Sequence, residues 1–353
     1  MSNVIGTIKA SRIAVLLFLA ISGSHVYGQK VKEAPSTVDA KYVPLSTTKA
    51  LKPGEKVENL FNLNSTQEYI LQRVTDRVYW YQRQFYGTIF YVGDAGVLLI
   101  DPLGYQGPYI QKAIQSVTDL PITAIMYSHN HADHIGAAPY FVEEAQKAGR
   151  TLRIIASEAT VAKQAFLHSQ LPPATDVVAW PQGSFTFEGL KVQLSGFERG
   201  AHADDHGVWL LTNEKVAHLP DLVNPDQPPF WNFAGSENFV YYENNVNQLG
   251  DLEWDFLHGG HGNIGSKADI EFYREFLGDF KAAVGKALGE IQFGSGVDAS
   301  QLNAHTAFLP AWLDLVAESV TDALRPKYGK YYGFEYATPS NARMAAMSMF
   351  SYQ

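Results

Sequence analysis

Seven residues constrain this chain more than any other feature: the segment 128–134, Ser-His-Asn-His-Ala-Asp-His. Three histidines and an aspartate fall within six positions, directly after the apolar run 122–127. That run reads as a compact buried strand that stops at Ser128. In extended backbone, positions two apart point the same way, so His129 and His131 can grip one ion. Asp133 and His134, at the entrance of a following helix, turn toward a neighbouring site. Imidazole and carboxylate are ordinary zinc ligands, and the same donors accept iron or manganese. The competing explanations are a solvated polar loop or a metal scavenger without catalysis. Neither accounts for a histidine-dense loop placed behind an apolar strand.

The strands around this loop come in two series. Residues 78–85, 88–92 and 96–100 are β-rich, with the turn Gly93-Asp-Ala-Gly96 between the last two. A helix is expected over 108–117, with Pro108 near its first turn, and another from Ile135 to about Ala148, stopped by Gly149. The second half offers strands at 153–156, 184–187, 191–197, 208–212, 216–219 and 253–257. Helices are expected over 236–250 and 266–290. Strand series separated by helices, occurring twice, predict two sheets face to face with helices outside: a four-layer αββα sandwich of the α/β class. Residues 77–293 would form this catalytic domain. Before it, residues 29–76 make a leader, with Pro35, Pro44 and Pro53 keeping 29–56 irregular over the surface. After it, residues 294–353 form an extension, helical over 310–324 and ending in Tyr328, Tyr331, Tyr332, Phe334 and Tyr336.

The N-terminus carries an export signal. Lys9 and Arg12 precede an apolar stretch at 13–21, and small or polar residues follow to Gly28. A basic region, a short apolar core and small residues mark a signal peptide over 1–28, leaving Gln29 first. The apolar core is shorter than the roughly 20 residues a membrane span needs. A secreted or periplasmic protein without a stable membrane anchor is therefore expected. The formal charge is −9 and no block of Lys or Arg stands out, which argues against nucleic acid as a partner. The chain has no cysteine, so disulfides, thiolate zinc sites and a Cys nucleophile are excluded.

At this point the chain resembles the metallo-β-lactamase superfamily. The pattern His-x-His-x-Asp-His matches 129–134, and later motifs of that family occur in order between Val78 and Gly262. "Leu98-Leu-Ile-Asp101" is similar to the family's strand that ends in aspartate. "Gly200-Ala-His-Ala-Asp-Asp205" resembles its third histidine motif, and "Leu219-Pro-Asp221" its bridging aspartate, with Pro220 where glycine is usual. "Gly259-Gly-His-Gly262" resembles its final histidine. The resemblance implies two zinc ions per chain. One site would use His129, His131 and His202, the other Asp133, His134 and His261, with Asp221 bridging. Asp133 and Asp221 would be the catalytic residues, with Asp133 orienting an acidified water and moving its proton. Asp101 would orient a ligand loop. His206, four residues past His202, is the rival ligand. His258 is a supporting or core histidine, and His168, His218 and His305 lack ligand-like company. Asp204 and Asp205 read as turn residues.

The expected activity is hydrolysis of an ester, lactone or similar small-molecule bond. A β-lactamase and an alkyl or aryl sulfatase are the alternatives within the superfamily. A non-catalytic periplasmic metal-binding protein is the alternative from another class, and a bridging aspartate argues against it. The loop 224–233 carries Phe230, Trp231 and Phe233, which either wall a pocket for an apolar or aromatic substrate or pack beneath the loop.

Overall fold

In the computed structural model, residues 32–352 are described, so the expected signal peptide and the new terminus at Gln29 lie outside the described residues. Seven strands make the first sheet: β3 (Ile70–Arg73), β4 (Val78–Arg83), β5 (Tyr86–Val92), β6 (Val97–Ile100), β7 (Ile122–Met126), β8 (Arg153–Ser157) and β9 (Asp176–Val178), in that spatial order. Pairing is antiparallel from β3 to β6 and parallel from β6 to β9. The parallel half is made by helical crossovers: α2 (Gly107–Gln115), then the short α3 (Ala132–Ile135) with α4 (Ala138–Lys147), then α5 (Glu158–Phe166). The second sheet is β10 (Gln182–Phe187), β11 (Leu190–Gly196), β12 (Gly207–Leu211), β13 (Val216–His218), β14 (Phe256–His258) and β15 (Ile264–Gly265). Only β13 and β14 pair in parallel, across a turn α6 (Asn232–Gly235) and helix α7 (Tyr242–Asp251).

Strand alternation divides the core into layers. On β5, Ile89 and Tyr91 face the space between the sheets, where they meet Trp209, Val192 and Phe187 of the second sheet. Phe90 points the other way, toward Ile110 and Ile114 of α2 and Phe141 of α4. On the far side, Val208, Ala217 and Leu257 pack under α7 and three long helices. Those are α8 (Lys267–Glu290), α9 (His305–Tyr328) and α10 (Phe334–Ser351). The arrangement is the expected αββα sandwich.

Several expectations need correction. The helix expected over 135–148 is two: α3 and α4, parted at Gly136 and Ala137. Pro139 sits in the first turn of α4, where its missing amide removes a bond that would carry α3 on into α4. The leader is not an irregular surface strap. It forms β1 (Lys41–Val43), β2 (Glu55–Val57) and α1 (Leu60–Thr66), and it supplies β3 to the main sheet. Its Leu51, Val57 and Leu60 are buried in the inter-sheet core. Past residue 294 the chain is mostly helix, α9 and α10, and α10 was not foreseen. Among the described residues no helix is long and apolar enough to cross a membrane.

Candidate metal centre

The loop leaving β7 is held at both ends before any ligand is considered. Asp101, at the tip of the adjacent β6, accepts the Ser128 N–H through Oδ1 at 2.7 Å. The Trp209 indole donates to the Ser128 carbonyl at 3.1 Å, and Asp205 Oδ2 accepts the Asn130 N–H at 2.7 Å. The Ser128 hydroxyl lies 2.9 Å from His129 Nδ1 and leaves Nε2 to point inward. His131 is still extended (φ −111°, ψ 137°) at the entrance of α3, so Asp133 and His134 fall in its single turn. The period changes from two to 3.6 at this point, and that turns the second pair of donors away from the first.

The second sheet brings the remaining donors to the same place. His202 Nε2 lies 3.2 Å from His129 Nε2 and 3.0 Å from His131 Nδ1. Asp221 follows the end of β13 in left-handed backbone (φ 64°), an uncommon state for a non-glycine residue and one that clusters at functional sites. Its Oδ2 is 3.4 Å from His202 Nε2, 3.6 Å from His129 Nε2 and 2.8 Å from His134 Nε2. Its Oδ1 is 2.8 Å from His261 Nε2. His261 Nδ1 donates to the Phe85 carbonyl at 2.8 Å, which fixes the tautomer and frees Nε2. Gly260 permits the approach: at φ 79°, a Cβ there would lie 2.5 Å from Pro220 Cβ and 3.1 Å from the His134 ring. Two donor groups result, His129, His131, His202 and Asp221 on one side and Asp133, His134 and His261 on the other.

The chemistry of these groups fits bound cations. Burial holds His129 and His202 well below the usual imidazole range, so both keep lone pairs although their nitrogens face each other. A neutral imidazole keeps one nitrogen lone pair, the form in which it ligates a metal ion. Burial pushes His134 down too, but the Asp221, Asp133 and Asp101 carboxylates outweigh it and lift it to about 10. Burial also opposes the Asp221 charge, yet His134, His202 and His261 hold its carboxyl well below the usual range. His134 Nε2 lies 2.8 Å from Asp221 Oδ2, and His134 Nδ1 lies 3.6 Å from Asp101 Oδ2. Carboxylate and imidazole donors this close together can share bound cations.

His206, the rival ligand, is turned aside: its Nε2 donates to the Pro220 carbonyl at 2.6 Å. Asp205 is more than a turn residue, since it holds Asn130 and also faces Lys163 at 3.4 Å. His218 and His258 stack in parallel, with Nδ1 atoms 2.9 Å apart, and His218 Nε2 reaches Asp101 Oδ2 at 2.8 Å. Their signal was their place at the ends of paired strands, β13 and β14. Tyr86 was missed altogether. Its ring meets the His261 ring edge-on at 5.0 Å. Burial, then the charges of Asp133 and Asp221, push its phenol up, so it remains an O–H donor at the site. Phe233 is not a pocket residue: it is buried among Tyr242, Phe239 and Phe280. Its aromatic neighbours in sequence behave otherwise, with Phe230 and Trp231 about half exposed and the Phe230 ring stacked 5.9 Å from His261.

Residues 83–267, more than half the chain, match the family model described as the metallo-beta-lactamase superfamily. The solved metallo-beta-lactamase IND-7 is 16% identical, with a TM-score of 0.50 over 60% of this chain and 99% of that one, a likeness of fold. A metallo-beta-lactamase from Pontibacter korlensis is 18% identical, with a TM-score of 0.48, covering 58% of this chain and 96% of that one. A 2,4-dinitroanisole O-demethylase subunit alpha from Nocardioides sp. (strain JS1661) is 26% identical over 233 residues. That alignment takes in 64% of this chain and 66% of the relative, just under two thirds of its length.

Proposed function

The chain belongs to the metallo-beta-lactamase superfamily, and from that premise we propose that it is an exported, dinuclear zinc hydrolase acting on an ester, lactone or similar bond of a small organic molecule. One observation carries the reading: the two oxygens of Asp221 reach into both donor groups, toward His134 and His261 at 2.8 Å each and toward His202 at 3.4 Å. A carboxylate shared in this way holds two sites at a fixed separation. Scavenging or carriage of a metal does not require that.

His129, His131 and His202 would hold one ion, and Asp133, His134 and His261 the other, with Asp221 common to both. Bound there, the ions supply Lewis-acid polarisation and a water made acidic near neutral pH. The protein's own residues do the rest. Asp133 is nearly half exposed and 3.5 Å from His134, so its carboxylate can take a proton from water and pass it to solvent or to a leaving group. Tyr86, kept protonated, can donate a hydrogen bond to oxygen charge that builds up in the reaction. The Ser128 hydroxyl and the Phe85 carbonyl orient the His129 and His261 rings, and Asp101 holds the loop backbone at Ser128.

The relative named for 2,4-dinitroanisole O-demethylation adds an activated aryl methyl ether to the bonds worth testing. A panel of chromogenic esters, lactones, aryl ethers, sulfates and β-lactams on zinc-loaded protein tests the reading. Turnover of an ester, lactone or aryl ether is expected, with weak or absent β-lactam hydrolysis; efficient cleavage of sulfates or β-lactams alone would contradict it. Export rests on Lys9, Arg12 and the short apolar core at 13–21. Intact mass of protein from its native host should begin near Gln29, and a full-length cytosolic form would overturn that assignment.

A further inference from the structure

A cavity of about 400 Å3 opens between the loop after β13 and the first turn of α10, lined by Gln227, Pro228, Phe230, Trp231, Tyr332 and Tyr336 among others. One wall touches the candidate metal centre and the other reaches it through Phe85. On one side, Phe230 stacks on His261. On the other, Tyr332 packs against Phe61 at 4.2 Å and Phe85 at 6.0 Å, and the Phe85 carbonyl fixes the His261 ring. No lining side chain carries a formal charge. Trp231 is 54% exposed and Tyr336 88% exposed, so their rings face open space and do not fill a core. Such a cluster of uncovered rings beside a polar centre calls for an occupant. Gln227 is the exception in polarity: its side chain is the one amide in the lining.

We propose that this cavity receives the aromatic part of the substrate, an uncharged ring carrying a polar substituent. Phe230, Trp231, Tyr332 and Tyr336 supply the stacking surface, and Gln227 hydrogen-bonds the substituent. An anionic ring is disfavoured because no lysine or arginine lines the cavity. Two of the four rings, and the helix that begins beside them, lie beyond residue 267, outside the stretch matched by the family model. The C-terminal helices therefore set the specificity of this particular chain. Only the direction of the scissile bond, toward His261, rests on the hydrolase reading; the binding itself does not.

Acetophenone, a neutral aryl ketone with no bond to hydrolyse, serves as the probe, with cyclohexyl methyl ketone as its non-aromatic counterpart. Calorimetry on zinc-loaded protein should find the aryl ketone bound more tightly. Tyr336→Ala and Trp231→Ala should each weaken acetophenone about two- to tenfold, the worth of one aromatic contact. Gln227→Leu should weaken it by a similar factor, about two- to tenfold for one neutral hydrogen bond. Phe166→Ala, which removes an equally bare ring on α5, should change nothing. Equal affinity for the two ketones, or loss in the Phe166 variant and not in the others, would overturn the proposal. Should acetophenone follow the expected pattern while no ester, lactone or ether is turned over, the pocket stands and the hydrolase reading fails. Turnover with no ring preference and no effect of these variants would leave the hydrolase and remove the pocket.

Discussion

Asp221→Ala is expected to lower kcat by more than about 100-fold while the secondary structure stays intact. Even groups that merely support a metal ligand typically cost about 10- to 100-fold in affinity or activity when removed. Asp221 is placed more centrally than that. Its two oxygens lie within 3.6 Å of four histidines drawn from both donor groups. Without it, the imidazoles of His129 and His202 face each other with no anion to offset the cations they attract. Asp221→Asn should behave similarly, since it keeps the shape and loses the charge. Stopped assays and metal analysis on the purified variant provide the check. A variant that keeps both ions and most of its ester or lactone activity would contradict the shared role. Efficient penicillin or carbapenem turnover surviving the substitution would place the chain in a different branch of the superfamily.

The second large effect concerns the fold. Lys56→Met should cost about 3–5 kcal/mol of stability, the usual consequence of removing one partner from a buried ion pair. Lys56 sits on β2 with its side chain fully buried, and Nζ contacts Asp226 at 2.8 Å and Asp269 at 2.7 Å. Burial disfavours its charge, but the two carboxylates outweigh that and raise its pKa. Asp269 also caps α8 by accepting the Ser266 N–H at 2.8 Å. Asp226 lies in the loop that leads to Phe230 and Trp231. One ammonium thus ties the N-terminal segment to the loop that carries Phe230 and Trp231 and to α8. Methionine matches its length but would strand two carboxylates without a cation. Against a typical total of about 5–15 kcal/mol this is a large fraction, and it should show as a lowered unfolding midpoint in denaturant. A change below about 1 kcal/mol would mean that the carboxylates find other partners or protonate at little cost.

The sequence made the metal loop and the sandwich legible for a physical reason. Ligands that follow a strand within six residues must converge locally, and apolar strands of 4–7 residues announce their buried faces. The donors from distant segments, His202, Asp221 and His261, came from motif order, and the geometry now brings them to His129, His131, Asp133 and His134. What escaped was decided by packing between segments far apart in the chain. α10 buries Phe334, Ala337, Thr338, Asn341, Ala342, Ala345 and Ala346. That is a helical period, but it is written mostly in small residues, and Pro339 interrupts it. Their apolar weight is too low to stand out. Phe230, Trp231 and Phe233 share one composition, and only the left-handed turn at Asn232–Ala234 sends Phe233 inward and its neighbours outward. Gln227 carries no signal in sequence at all, because only the fold places it in the wall of the aromatic cavity.

The most direct test of the dinuclear reading is the number of ions held by each chain. Mature protein loaded with zinc and then dialysed should retain two per chain by elemental analysis, and Asp221→Ala should retain fewer. No more than one tightly held ion, even with zinc supplied in excess, would contradict it.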